Sequence, residues 1–205
     1  MIEPLALDMA GLKRREGSHT GALMNSSEDL ITRARAGEHE AFRLIFERYA
    51  KPVLSFIYDM VGERDLAEEL TQETFVRAYN HLDRIRDDTK LSTWLFGIGK
   101  NVAREALRSK RRIHEGVLNC ESEDSNQISP SEELFGKELN TAIYDALNLL
   151  DDDRRLVFVL KVFQQCRYEE IAQITGFSLA KIKTDLHRAR VELRRRIRPF
   201  LENNR

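Results

Sequence analysis

Residues 168–190 read YEEIAQITGFSLAKIKTDLHRAR, and the apolar patterns on either side of Gly176 decide the fold of the C-terminal half. Upstream, Ile171, Ala172 and Ile174 recur at helical spacing in one short segment; downstream, Ser178 is placed to cap a longer one. On a wheel of about 100° per residue, Leu179, Ile182, Leu186, Leu193 and Ile197 form one apolar stripe, with Lys181, Thr184, Arg188 and Arg195 opposite. Val191 and Asp185 are expected to point outward as well. Two helices joined by a glycine turn have the layout of a helix-turn-helix, whose second helix packs one face and offers the other to a DNA major groove. Lys and Arg on that face can reach phosphates and guanine edges. A solvated face on an ordinary packing helix has the same charges, and the coincidence of turn, cap and bases favours DNA over it.

Working back from this motif, helical periodicity runs through LFGKELNTAIYDALNLL (134–150) and DDDRRLVFVLKVF (151–163), where Asp151 can cap a helix carrying Leu156, Val157, Val159 and Leu160. A helical unit is therefore expected over residues 132–200, with 201–205 as a tail. Residues 113–131 lose the period; they are polar and acidic, contain Gly116 and Pro130, and hold no Lys or Arg. That composition predicts a flexible acidic linker.

Residues 27–112 predict a second all-helical unit. Ser26 or Ser27 can cap a first helix with Glu28 and Asp29 in its opening turn. A second carries Phe42, Ile45, Phe46 and Tyr49, with Pro52 expected to bend it. The third, RDLAEELTQETFVRAYNHL (64–82), presents Glu68, Glu69, Gln72 and Glu73 as an acidic, amide-bearing surface, which reads as a solvated face or a protein-docking one. The fourth, LSTWLFGIGKNVAREALRSKRR (91–112), sorts into two faces: Leu91, Leu95, Ile98, Val102 and Ala106 inward, and Thr93, Gly97, Lys100, Arg104, Arg108 and Arg111 outward. Trp94 and Asn101 fall on the boundary, where a ring or amide can meet a base, although a tryptophan taken alone reads as core. Gly97, on the basic face, costs about 1 kcal/mol of helix propensity relative to Ala and leaves bare backbone for a close partner. Gly99 falls inward, where it is expected to permit tight packing. Residues 1–26 have no sustained period and read as a flexible extension.

The whole is thus an all-α chain of two small helical domains joined by a linker. Its 205 residues carry 33 Lys and Arg against 34 Asp and Glu, so charge informs only where it is local. Cys120 and Cys166 stand apart from each other and from any Cys/His cluster, which supports neither a disulfide framework nor a metal site and suits a reducing compartment. No apolar run reaches the roughly 18 to 20 residues of a membrane span, so no stable membrane insertion is expected and the cytoplasm is the expected location. His114, His187 and the carboxylates form no recognisable catalytic constellation, and neither an enzyme activity nor a cofactor is expected.

Four segments in order, DLAEELTQETFVRAY, LSTWLFGIGKNVAREALR, DDDRRLVFVLKVF and YEEIAQITGFSLAKIKTDLHRAR, resemble the bacterial RNA polymerase sigma factors of the extracytoplasmic-function group. The resemblance implies that residues 27–112 are sigma region 2, binding the promoter minus-ten element, and residues 132–200 sigma region 4, binding the minus-thirty-five element. It also implies partners: core RNA polymerase, through its beta-prime coiled-coil and beta flap, promoter DNA as duplex and as non-template single strand, and an anti-sigma factor. Glu69, Gln72 and Glu73 match the motif that docks on the coiled-coil, with Asp65 and Glu68 on the same acidic surface. The loop RIRDDTKLS (84–92), hence Arg86, Asp88, Thr89, Lys90 and Ser92, matches the segment that captures a flipped base, and Trp94, Asn101 and Arg104 match positions flanking that pocket. With Gly97, Lys100 and Arg108 these form the implied minus-ten set. Lys181, Lys183, Thr184, Asp185, His187 and Arg188 form the minus-thirty-five set, and the linker is implied to thread the RNA exit path of the polymerase.

Departures from the family pattern bear on promoter choice. Ala180-Lys181-Ile182-Lys183-Thr184-Asp185 stands where Gly-Thr-Val-Lys-Ser-Arg is common, so an acid able to accept from cytosine N4 replaces an arginine. Asp87 replaces a common glycine in the base-capture loop, and Gly97 a bulky or basic residue. A duplex-binding regulator that does not act as a sigma factor is the alternative; it leaves the 64–82 helix and the basic 91–112 helix without a task.

Overall fold

The computed structural model describes residues 26–86, 90–116 and 142–203, and among these there is helix and connecting turn but no strand. Most of the expected N-terminal extension, the linker from 117 onward, and Asp87, Asp88 and Thr89 lie outside the described residues.

Helix α1 spans Ser27–Arg35, and Ser26 is its cap, its Oγ accepting from the Asp29 N–H at 3.1 Å. Helix α2, His39–Val61, runs continuously through Pro52 and ends at Gly62, whose φ of +78° gives the left-handed turn that lets its N–H reach the Tyr58 carbonyl at 2.8 Å. Helix α3 is Arg64–Asn80; a 3₁₀ turn, Leu82–Arg84, leads toward α4, Leu91–Gly116. The last helix thus continues four residues past Arg112, into the segment whose composition read as linker. Leu30, Ala41, Ile45, Val53, Phe56, Ile57, Met60, Phe75, Ala78, Leu95 and Val102 fill the space between these helices.

The second unit begins with α5 over residues 142–148. Helix α6, Asp152–Phe158, is capped as expected by Asp151, whose carboxylate accepts from the N–H groups of Asp153 and Arg154, and it widens into a π-helical turn over Val159–Phe163. Then come α7, Tyr168–Thr175, Gly176 at φ +76°, and α8, Leu179–Asn203. Ser178 caps α8 through the Lys181 N–H at 3.2 Å. The helix-turn-helix is therefore present with the expected turn and cap. Within α8, Ile182, Leu186 and Leu193 are buried as the wheel requires and Ala189 joins them, whereas Leu179 is exposed.

The two units do not stand apart. Leu156, Val157, Leu160, Ile171, Ile174, Ile182 and Leu186 belong to one continuous apolar core with the first unit, and only Ala146, Leu147, Leu150, Ala189 and Leu193 form a separate cluster. Arg155, buried to 5% exposure, locks the junction. Its guanidinium donates to the carbonyls of Leu147 (3.1 Å) and Asn148 (2.8 Å) in its own unit and of Met60 (2.9 Å) across the seam. Beside it the Asp59 carboxylate accepts from Tyr144 Oη and Gln164 Nε2, each at 3.1 Å and both from the second unit.

Candidate nucleic-acid interface

Helix α4 brings together Trp94, Gly97, Lys100, Asn101, Arg104 and Arg108, and the structure places them much as the wheel does, with one correction. Asn101 and Arg108 are exposed, Trp94 is half-buried, and Gly97 is open: a methyl group there meets nothing within 4 Å. Thr93, expected on the open face, is buried at 4%. The cause is tertiary. Helix α7 packs across this face, with Lys90 before Thr93 donating to Glu170 at 2.8 Å and Lys100 after it donating to the Ile174 carbonyl at 2.9 Å. Further along, Arg104 pairs with Asp153 and Arg111 with Asp152, both in the first turn of α6. Burial pulls the Lys100 ammonium below its ordinary pKa, and the charge of Arg104 adds to the effect. The Glu170 carboxyl is pulled down by Lys90 and then by the Arg167 backbone N–H.

Gly99 also differs from expectation. A Cβ there would lie 3.6–3.7 Å from Ile57 and Phe56, an ordinary contact, so packing does not demand glycine at this position.

On α8, Lys183, Thr184, His187 and Arg188 share an exposed surface one turn past the cap, which is where a helix-turn-helix presents side chains to a groove. Asp185 is a second correction: it is 7% exposed, and its carboxylate takes the Lys181 ammonium at 2.6 Å. The wheel put it outward because it counted only neighbours on α8, whereas α6 packs along the same helix. Lys181 also reaches Asp153 at 3.0 Å and lies over the Phe177 ring, so it is half-buried rather than free on the face.

Helix α3 exposes Asp65, Glu68, Glu69 and Gln72, with Glu73 half-exposed and paired to Arg77 at 2.7 Å. Beside them opens a groove of about 360 Å³ lined by Phe42, Phe46, Gln72, Phe75, Val76 and Tyr79. Phe46, Val76 and Tyr79 are exposed. Val76 is one turn past Gln72, so an apolar residue continuing a polar face was the signal in the sequence. Among the described residues no group of His, Cys, Asp and Glu is placed to hold a metal, and no helix is long and apolar enough to cross a membrane.

With this geometry in hand, two family models match the chain: Sigma-70 region 2 over residues 45–113 and Sigma-70 region 4 over residues 140–193. The chain is 30% identical over 163 residues to the RNA polymerase sigma factor YlaC of Bacillus subtilis, covering 78% of this chain and 94% of that protein. It is 29% identical over 177 residues to the sigma factor SigW of the same organism, an extracytoplasmic-function member, with 82% and 95% covered. Among solved structures it resembles the Bartonella quintana sigma factor RpoE, determined with the anti-sigma factor NepR (TM-score 0.61, 25% identity, 77% and 96% covered). CnrH, determined with the cytosolic domain of CnrY, shares the fold at TM-score 0.64 and 22% identity, with 87% of this chain and 99% of that chain covered. The chain belongs to the sigma-70 family, in its extracytoplasmic-function group, and is a sigma factor of transcription initiation.

Proposed function

We propose that the chain docks on core RNA polymerase through the α3 face and reads the minus-ten element with α4 and the loop before it. Arg86, Asp88, Thr89, Lys90, Ser92, Trp94, Gly97, Lys100, Asn101, Arg104 and Arg108 serve that contact. Lys183, Thr184, His187 and Arg188 of α8 meet the minus-thirty-five duplex, while Lys181 and Asp185 act there as a pair. The protein works in the cytosol, has no catalysis of its own, and is open to restraint by an anti-sigma factor, as the Bartonella quintana RpoE structure with NepR suggests.

The observation that carries the docking assignment is the apolar groove beside Gln72. Exposed aromatic and aliphatic side chains on a helix that also carries an acidic surface suit the beta-prime coiled-coil, since apolar anchors supply affinity and charges supply orientation and rate. Asp65, Glu68, Glu69 and Glu73 supply the charge on the same helix. Replacing Gln72→Ala together with Glu73→Ala in the full chain is expected to weaken core binding by about tenfold or more, the equivalent of ~1.4 kcal/mol at a buried anchor. Fluorescence titration with purified core and initiated RNA from a promoter library read the result. Unchanged core affinity removes the assignment of α3; initiation lost with core affinity intact moves the defect to DNA.

A further inference from the structure

The groove between α2 and α3 leaves Phe46, Val76 and Tyr79 exposed at 42%, 54% and 42%. Apolar side chains gathered in a concave site mark a place for a partner. Ring contacts give the groove its direction: Phe42 meets Tyr79 edge-on at 5.0 Å and Phe46 meets Phe75 at 4.8 Å, so α2 and α3 run antiparallel along it. Beyond Gln72 the same surface of α3 turns acidic, with Glu69, Glu68 and Asp65 exposed. About one turn past Phe46, toward that acidic end, Tyr49 Oη meets Ser27 Oγ at 3.0 Å. The chain preceding Ser26 therefore joins the folded part near the acidic end of the groove.

Residues 1–25 lie outside the described residues, and their sequence matches that site in order. Ile2, Leu5, Met9 and Leu12 recur at intervals of three and four, the spacing with which an amphipathic helix anchors in an apolar groove, and Pro4 stands near the start, where a helix tolerates it. Lys13, Arg14 and Arg15 follow at once. Counted back from Ser26, the bases come before the apolar run, just as the acids come before the groove. Extended at about 3.3 Å per residue, residues 13–25 reach about 40 Å. The groove needs far less, since Gln72 to Asn80 is about 12 Å along α3 at about 1.5 Å per residue.

We propose that residues 2–15 fold back into the groove between α2 and α3, with Leu5, Met9 and Leu12 against Phe46, Val76 and Tyr79 and the three bases against Asp65, Glu68 and Glu69, so that the chain carries its own competitor for core polymerase. A tether of this length holds the segment at an effective concentration of about a millimolar, so a weak contact is enough to fill the groove. Gly11 weakens a helix formed by this segment, which keeps the contact displaceable. Core polymerase then binds only the fraction of the chain whose groove is empty. This rests on the reading of α3 as the core-docking face.

Two full-length variants and one probe test this. Leu5→Ser, Met9→Ser and Leu12→Ser combined remove the anchors; Lys13→Ser, Arg14→Ser and Arg15→Ser combined remove the bases. Both leave the sequence of every described helix unaltered. Fluorescence titration with purified core polymerase is expected to show about fivefold tighter binding for the anchor variant, since affinity scales with the fraction of chain whose groove is open. The charge variant is expected to gain about threefold, less as salt is raised. A benzophenone amino acid in place of Met9 is expected to crosslink on illumination within its own chain, to residues 42–46 or 72–79. Unchanged core affinity in both variants overturns the inference where Gln72→Ala with Glu73→Ala still weakens core binding. If that pair also has no effect, it is the reading of α3 that fails, and the inference with it. A gain in the charge variant alone overturns the inference, because charge by itself then explains it. Crosslinks that map elsewhere in the chain, or none, overturn it whatever the affinities, and crosslinks between two chains do so by giving the groove to a second copy.

Discussion

Asp59 sits on α2 in the first unit, yet both of its hydrogen-bond partners, Tyr144 and Gln164, come from the second. The residue is 7% exposed, and burial pushes its pKa up from 3.8 to about 6 even though both partners stabilise the anion. The other titratable groups near it are Tyr144, pushed further above the phenolic range by burial and by Asp59, and Tyr58, whose ring meets Tyr144 edge-on. The buried Arg155 guanidinium is spent on the Met60, Leu147 and Asn148 carbonyls and so does not neutralise Asp59. A carboxylic acid with a raised native pKa holds its proton more tightly in the packed state. Its stabilising share is full below about pH 4, declines as pH rises through about 6, and is then lost. The shift corresponds to about 3 kcal/mol at neutral pH, at about 1.4 kcal/mol for each pKa unit. Asp59→Asn keeps an acceptor for Tyr144 and removes the charge. Near pH 4 the variant and the parent should be equally stable, and by pH 7 the variant should lead by about 1–3 kcal/mol, the lower bound allowing for an imperfect amide contact with Gln164. Urea melts between pH 4 and pH 7.5 read the difference directly, because Asp153, Glu170 and Glu192 titrate in both proteins and cancel. A gap that does not widen with pH, or a variant less stable than the parent at pH 7, refutes the argument.

Two glycines give opposite expectations. Gly97→Ala adds a methyl group into open space on α4 and should raise stability by about 1 kcal/mol through helix propensity, seen as a higher denaturant midpoint with the slope unchanged. Gly176→Ala also meets nothing within 4 Å, but its φ of +76° puts an L-residue in the left-handed region at a cost of about 1–2 kcal/mol. The same melts should show destabilisation there, and a stabilised variant would contradict the turn described above.

Much of this chain is legible without coordinates because its signals are local. Ser26 and Asp151 announce helix starts, Gly62 and Gly176 announce stops, and a 3.6-residue apolar period needs no knowledge of the partner it will meet. The acidic face of α3 and the basic face of α4 are legible for the same reason. A wheel, however, records which way a side chain leaves its own helix and not what arrives from elsewhere. Thr93 is buried on a face of α4 that α7 crosses, and Asp185 is buried where α6 and α8 pack. Gly99 looked like a packing requirement until its surroundings proved roomy enough for a methyl group. Composition likewise suggested a division of the chain at residues 113–131, although α4 continues to Gly116, and it carried no information about the seam between the units. That Asp59, Arg155 and the cations of α4 find partners across it depends on residues 41 to 105 positions apart in sequence, and such pairing is fixed only when the helices pack.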